Sequence, residues 1–320
     1  MKLEDSGAPA IELVEVTKTF GKAQALAGVD LAVGRGEIYG FIGPNGAGKT
    51  TTLRILATLI RPTQGQARIC GLDCAKEAPE ARRRLGYLPD GAPAAPDFTV
   101  AELLDFFAAA YGIVGAERRR VVGDVLELVD LAGRRDDLVA SLSLGMRQRL
   151  GLARVLVHDP AVLLLDEPGT GLDPRARIEI REVLRELRSL GKTILVSSHI
   201  LGELGELCTS IGILEQGRVV FSGSLREALA RVPAGAIEVR IAGGEVGRAR
   251  ALPHLHGDPA VAAVREEADE DLLVVDLAEG ASAAAVARTL VGAGLDLVVL
   301  RPRPVDLEDA FLALTEGTLG

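Results

Sequence analysis

The 320-residue chain has no tryptophan, three tyrosines, seven phenylalanines and three cysteines. Because aromatic residues make up 3% of a sequence that is 48% hydrophobic, we expect a core of Leu, Val, Ile and Ala. The cysteines, Cys70, Cys74 and Cys208, show no metal-ligand grouping, and their odd number suits a reducing compartment. We therefore expect them to act as small buried hydrophobic residues.

Long uncharged apolar runs are also missing, although the mean hydropathy is +0.24. No stretch approaches the length that a membrane-spanning helix needs. The start, Met1–Pro9, is acidic and polar and lacks the features of a signal peptide. A net charge of −9 and a pI of about 5.2 argue against general nucleic-acid binding. These observations predict a cytoplasmic protein of one large domain or two smaller ones.

One run matches the phosphate-loop pattern G-x-x-x-x-G-K-[ST]. It consists of Gly43, Pro44, Asn45, Gly46, Ala47, Gly48, Lys49, Thr50 and Thr51. The apolar stretch Ile38–Ile42 before it is typical of a buried strand, and Leu53–Ala57 after it has helical spacing. Glycines allow backbone amides to face a triphosphate, and the helix start adds positive potential. Lys49 is then expected to reach the β- and γ-phosphates, and the Thr50 hydroxyl to bind Mg²⁺.

An acidic pair follows a second predicted strand. Residues Val162–Leu165 are apolar without alternation, which is typical of a fully buried strand, and Asp166 and Glu167 come directly after them. In open α/β sheets, ligands bind at the carboxyl ends of the strands. We expect Asp166 to hold Mg²⁺, directly or through water. Glu167 is expected to act as the general base that polarises the water attacking the γ-phosphate.

A third motif, Ser141–Arg149, predicts a helix whose first turn is capped by Ser143. The free amides of such a helix start form an anion site, although an ordinary N-cap would give the same pattern. The phosphate loop already supplies one anion-binding helix for a nucleotide. A second one needs another phosphate, which a head-to-tail dimer would provide.

The order of predicted elements divides the chain into two parts. Residues 1–232 read as an α/β domain into which an all-helical block, about 91–158, is inserted. The run Pro233–Gly235 marks a boundary. Residues 236–320 follow a βαββαβ order that is compatible with a small ferredoxin-like domain, and they end in a helix capped by Asp306.

This succession of motifs resembles that of the ATP-binding subunits of ABC transporters over about the first 230 residues. The resemblance implies a P-loop NTPase fold with a mixed sheet, and ATP and Mg²⁺ as ligands. It also implies roles for residues outside the two central motifs. Phe20 matches the aromatic residue on which adenine stacks, Ser143 and Gly145 match the family signature, Asp173 matches the D-loop at the dimer seam, and His199 matches the switch histidine that contacts the γ-phosphate.

The chain departs from the family pattern in two places. In the signature, Leu144 replaces a glycine and Met146 replaces a glutamine. After Tyr87–Pro89, where the family usually has glutamine, the chain has Asp90. A carboxylate can also ligate Mg²⁺, but it adds repulsion toward the γ-phosphate. Asp90 is therefore an additional candidate metal ligand at a hinge position.

Three features resemble those of the ABC branch whose membrane partners are ABC-2-type exporters. They are the acidic residue at position 90, the ending Leu307–Thr315 and the small appended domain. This resemblance implies an ATP-dependent homodimer on the inner face of the cell membrane that drives export through a separate permease. A soluble ABC ATPase acting in translation or DNA maintenance is the alternative. Such proteins usually have paired ATP domains or long coiled-coil insertions, which this sequence lacks. The C-terminal domain could serve either dimer support or regulation.

Overall fold

A computed structural model describes residues 7–91, 96–198, 200–232, 235–267, 272–303 and 306–315. The chain divides into two compact units, Met1–Ala228 with Phe311–Gly320, and Leu229–Ala310. Within the described ranges, no helix is both long enough and apolar enough to cross a bilayer.

The first unit contains two sheets. Its strands are β1 (Ile11–Phe20), β2 (Ala23–Val33), β3 (Ile38–Ile42), β4 (Gln64–Ile69), β5 (Leu72–Asp73), β6 (Leu85–Leu88), β7 (Val162–Asp166), β8 (Thr193–Ser198), β9 (Ser210–Glu215) and β10 (Arg218–Ser224). Four antiparallel strands form one sheet in the order β2-β1-β4-β5. The other sheet has the order β10-β9-β3-β8-β7-β6, in which all pairs are parallel except β9 with β10.

Helices fill the connections between these strands. They are α1 (Lys49–Leu56), α2 (Ala78–Arg84), α3 (Val100–Ala110), α4 (Gly115–Leu128), α5 (Leu144–Leu156), α6 (Pro174–Ser189), α7 (Leu201–Leu207) and α8 (Leu225–Leu229). The helices α3, α4 and α5 are consecutive, between β6 and β7, and contain the buried Leu104, Leu126 and Leu152. Thr99 caps α3 through a capping box with Glu102, which sets where this helical block begins.

The carboxyl ends of the parallel strands position the predicted site. Every residue of β3 and of β7 is buried, as expected for strands covered on both faces. The strand β8 lies between them and pairs in parallel with both. The ends of β3 and β7 therefore meet at one edge of the sheet, where the phosphate loop follows β3 and Asp166 ends β7.

The second unit has the predicted ferredoxin-like βαββαβ order. Its elements are β11 (Ala236–Ile241), α9 (Gly244–His256), β12 (Val261–Glu267), β13 (Leu272–Leu277), α10 (Ala283–Gly292) and β14 (Leu297–Pro302). The sheet is antiparallel, in the order β12-β13-β11-β14, and its core includes Val239, Val275 and Leu290. The helix α11 (Leu307–Leu314) follows, and the amide of Asp309 donates to Asp306 Oδ1 at 2.9 Å.

The first hairpin is longer than its sequence indicates. The apolar segments Ile11–Val16 and Val29–Val33 predict two short strands, whereas the observed strands extend to Phe20 and back to Ala23. Pairing continues through register shifts near Val16 and Lys18. These shifts interrupt the alternation that a sequence pattern relies on, so the outer half of the hairpin has no period-2 signal.

Candidate functional site

The phosphate loop connects β3 to α1 through glycines that their surroundings require. A Cβ atom at Gly43 would lie 2.3 Å from the carbonyl oxygen of Leu214. At Gly48, which precedes α1 with a φ of 112°, a Cβ would lie 2.6 Å from Leu26 and 2.8 Å from the carbonyl oxygen of Ala25. Only glycine combines this close approach with this backbone conformation. The loop therefore has the shape that the sequence motif predicts.

Lys49 places a buried ammonium group above this loop. Its Nζ donates to the carbonyl oxygen of Gly43 at 2.6 Å and of Pro44 at 3.3 Å, and lies 3.8 Å from Glu167 Oε1. Burial lowers the pKa of Lys49, while the charges of Glu167 and Asp166 act in the opposite direction. An anionic ligand would favour the charged form further.

Asp166 is the polar centre of the site. It is 1% exposed, and its Oδ1 accepts hydrogen bonds from Thr50 Oγ1 at 3.2 Å and Ser197 Oγ at 2.7 Å. Its other oxygen, Oδ2, is buried without a hydrogen-bond partner among the described residues. A buried carboxylate oxygen without a partner is unfavourable, and a bound cation would compensate its charge. The carboxylate of Asp166 and the hydroxyl of Thr50 thus fit Mg²⁺.

The described residues contain no group of three or more His, Cys, Asp or Glu side chains able to hold a metal ion. This agrees with the chemistry of Mg²⁺, which is usually bound by one or two carboxylates together with water and substrate phosphates. A site with one carboxylate and one hydroxyl therefore suits a magnesium ion bound together with a nucleotide better than a structural metal ion held by protein side chains alone.

Glu167 lies beside Asp166 in an unusual backbone conformation. Its φ is +51°, in the left-handed region, and its amide donates to both the carbonyl oxygen and the Oγ of Ser197 at 3.1 Å. Its Oε2 accepts from Thr170 Oγ1 at 3.2 Å, and the side chain is 14% exposed. The carboxylate is therefore held next to Lys49 while keeping some access to solvent.

Three other predicted residues meet in a second place. Ser143 caps α5, with the Met146 amide 3.2 Å from its Oγ, and Asp173 caps α6, with the Ala176 amide 2.9 Å from its Oδ1. Both line a cavity of about 280 Å³ together with Gly145. A Cβ at Gly145 would lie 2.8 Å from the Cβ of Ala176, so glycine lets the two helix starts approach each other. The residues lining this cavity do not include Lys49 or Asp166.

The remaining predicted residues are placed less centrally. Phe20 ends β1 on the four-stranded sheet, with half of its side chain exposed and Lys18 Nζ 4.9 Å from its ring centroid. Asp90 is exposed after β6. It comes two residues after Leu88, which pairs with Leu165, the residue before Asp166, so Asp90 follows the same edge of the sheet. Burial raises the pKa of Tyr87, and the charges of Asp166 and Asp90 add to this effect while Arg54 opposes it. His199 lies outside the described residues.

Ser197 is a site residue that the sequence motifs did not single out. It is fully buried at the end of β8 and pairs in register with Asp166 of the neighbouring strand β7. The strand Thr193–Ser198 begins with one hydroxyl residue and ends with two, so its sequence does not single out Ser197, and the neighbour of Ser197 follows only from the strand order.

Comparisons with known proteins identify the family. The family model described as ABC transporter matches residues 26–170. Nod factor export ATP-binding protein I of Cupriavidus pinatubonensis is 38% identical over 305 residues, which cover 95% of this chain and 90% of that protein. The protein of the same description from Paraburkholderia xenovorans is 44% identical over 215 residues, covering 67% of this chain and 71% of that protein.

A solved structure described as the ATP-binding subunit of an ABC transporter is 32% identical, with a TM-score of 0.63. The match covers 69% of this chain and 92% of that one. The chain belongs to the ABC transporter family and is an ATP-binding subunit. It binds ATP with Mg²⁺ and hydrolyses ATP to power transport, so the alternative of a translation factor is wrong. Such a subunit dimerises and works with a separate transmembrane subunit.

Proposed function

We propose that two copies of this chain form a head-to-tail ATPase that drives export through an ABC-2-type permease. In this proposal the dimer lies in the cytoplasm, peripherally on the inner face of the cell membrane. Residues 1–232 are the ATP-binding domain, with the helical subdomain at about 91–158, and 236–320 form an accessory domain. The export direction is supported by the names of the relatives, which are described as export proteins. One of these relatives aligns with 95% of this chain.

The cluster formed by Lys49, Thr50, Asp166 and Glu167 at one sheet edge carries the catalytic part of the proposal. Lys49 would leave its loop carbonyls to bind the β- and γ-phosphates of ATP, where its charge stabilises the phosphoryl transition state. The loop residues from Gly43 to Thr51 would supply backbone amides. Thr50 and Asp166 would hold Mg²⁺, which when bound neutralises phosphate charge.

Glu167 is proposed as the general base. Its carboxylate is held beside Lys49 but remains partly open to solvent, so it can accept a hydrogen bond from an attacking water. His199 would contact the γ-phosphate and Phe20 would stack on adenine, as the family resemblance implies. The exposed ring of Phe20 has the surface that such stacking requires.

The separation of the two sites supports the homodimer. Ser143 and Gly145 lie in a cavity whose lining contains none of the catalytic cluster, so they have no phosphate to bind unless another subunit brings one. In a head-to-tail dimer each chain would place this helix start over the ATP of the other. Asp173, which lines the same cavity, would lie at the seam.

An exposed aromatic patch is the proposed contact with the permease. Phe98 is 41% exposed and Phe106 is 57% exposed, and their ring centroids lie 6.4 Å apart. Phe107 packs edge-on against Phe106 at 5.4 Å. The patch comes after Asp90 along the chain: Phe98 precedes α3, and Phe106 and Phe107 lie in the second half of that helix. Exposed aromatic rings grouped in this way are typical of protein interfaces.

The homodimer is tested by the concentration dependence of ATP hydrolysis. We expect the specific activity of the purified chain to rise with protein concentration and to follow the dimer fraction measured by light scattering with ATP and Mg²⁺. Full activity in a strictly monomeric protein at every concentration would contradict the proposal. Co-purification with an integral membrane protein from the native cell tests the permease.

A further inference from the structure

Ser197 contacts both acidic residues of the site through one hydroxyl group. Its Oγ donates to Asp166 Oδ1 at 2.7 Å and accepts the amide hydrogen of Glu167 at 3.1 Å. Its carbonyl oxygen accepts from the same amide at 3.1 Å. Ser197 is 0% exposed, so these hydrogen bonds are shielded from bulk solvent.

We propose that Ser197 is the positioning residue that orients the Asp166 carboxylate for Mg²⁺ and fixes the backbone of Glu167 for water activation. This inference rests on the metal and base roles proposed above for Asp166 and Glu167. Ser197 touches neither ATP nor metal in this scheme. It acts through the two acidic residues.

The orientation of the Asp166 carboxylate depends on which hydroxyl still donates to it when Mg²⁺ and ATP are bound. Thr50 and Ser197 both donate to Oδ1, while Oδ2 has no hydrogen-bond partner among the described residues. Once the Thr50 hydroxyl is turned to Mg²⁺, Ser197 is the donor that keeps the carboxylate plane in place. Hydrogen bonds of this kind to metal-binding carboxylates orient the ligand and tune its affinity.

The backbone of Glu167 needs support for a separate reason. A non-glycine residue in the left-handed region is unfavourable, so neighbouring contacts must hold Glu167 there. Both oxygens that accept the Glu167 amide belong to Ser197. The hydroxyl of Ser197 therefore links the position of the proposed base to the position of the proposed metal ligand.

The matched control is Thr193, at the other end of the same strand β8. Thr193 is 2% exposed, and its Oγ1 accepts one hydrogen bond from the Gly36 amide at 3.0 Å. Thr193→Ala removes a buried hydroxyl from β8 away from the acidic pair. Ser197→Cys fills the place of the hydroxyl with a somewhat larger thiol and replaces a strong donor by a weak one, so together with Ser197→Ala, which leaves that place empty, it separates hydrogen bonding from packing.

The experiment measures Mn²⁺ binding and kinetics in the full chain. Electron paramagnetic resonance gives the Mn²⁺ affinity with a non-hydrolysable ATP analogue, and steady-state assays give kcat and KM for ATP. We expect Ser197→Ala and Ser197→Cys to weaken Mn²⁺ binding by about tenfold or more and to lower kcat far more than they change KM. Thr193→Ala should resemble wild type in both measurements.

Wild-type Mn²⁺ affinity in a folded Ser197→Cys variant, or equal losses in Thr193→Ala, would overturn the positioning role. Thermal unfolding of each variant establishes that it is folded. Asp166→Asn distinguishes this failure from that of the underlying function. If Asp166→Asn abolishes Mn²⁺ binding while Ser197→Cys does not change it, only the role of Ser197 is wrong. If Asp166→Asn binds Mn²⁺ normally, the proposed metal site itself is wrong.

Discussion

The ring of Tyr111 stacks in parallel on the ring of His158, with centroids 3.8 Å apart and planes inclined by 4°. Tyr111 follows α3, and His158 lies just beyond α5. His158 Nε2 also donates to the carbonyl oxygen of Leu85, the first residue of β6, at 3.0 Å. The pair therefore connects the ends of two helices of the helical block to the sheet.

The burial of His158 in this pair predicts that the free energy of unfolding decreases at acid pH. Burial lowers the pKa of His158 below its ordinary 6.5, although the Leu85 carbonyl partly opposes this. The unfolded chain then binds a proton more readily than the folded one. The contribution of His158 to stability is complete at neutral pH and is lost as the pH falls below 6.5 toward the lower folded-state value.

His158→Phe should keep the stack while removing the titration. We expect the free energy of unfolding to fall less between pH 7.5 and pH 5.5 in this variant than in wild type, as measured by urea denaturation. At pH 7.5 the variant should lose about 1 kcal/mol because the hydrogen bond to Leu85 is gone. His254→Phe, at an exposed position, is the control. Equal pH profiles for wild type and His158→Phe would refute the prediction.

Glu167→Gln should separate ATP binding from hydrolysis. The amide keeps the shape of the side chain but cannot act as a base, so we expect turnover to fall about a hundredfold or more while nucleotide affinity remains. ATP-bound dimers should accumulate and be detectable by light scattering. Glu182→Gln removes an exposed carboxylate that pairs with Arg185 on α6 and serves as the control. Normal hydrolysis by Glu167→Gln would show that another group is the base.

Asp90→Asn decides between two effects of the carboxylate at this position. As an exposed charge near the site, Asp90 should repel the phosphates, and its neutralisation should lower KM for ATP by about two- to fivefold at low salt. The gain should shrink as ionic strength rises. Asp97→Asn removes another exposed carboxylate of the same connection. A rise in KM and weaker Mn²⁺ binding in Asp90→Asn would instead assign Asp90 to the metal site.

Phe106→Ala should weaken assembly with the membrane subunit without affecting the isolated ATPase. More than half of this side chain is exposed, so its removal leaves no core cavity, whereas an aromatic contact at an interface often contributes about 2 kcal/mol or more. The measurement is recovery of the complex from detergent extracts, with basal ATP hydrolysis alongside. Leu190→Ala truncates another exposed apolar residue, outside this patch. Undiminished recovery with Phe106→Ala would exclude the patch as the contact.

The sequence predicts the cluster of Lys49, Thr50, Asp166 and Glu167 because each motif directly follows a strand. Carboxyl ends of parallel strands meet at one edge, so two local patterns suffice to bring the residues together. Ser197 could not be found in this way, since its contact with Asp166 depends on β8 lying beside β7. The left-handed backbone of Glu167 also has no signal in the sequence, because glutamate rarely adopts it.

The helix α5 has a consequence for communication across the molecule. Its 13 residues make a rod of about 20 Å. Ser143 caps the N-terminal end of this helix. His158 lies just beyond its C-terminal end and donates a hydrogen bond to Leu85, the first residue of β6. A displacement of the Ser143 end of α5 must therefore either move the whole helix as a rigid body or separate the stacked rings of Tyr111 and His158.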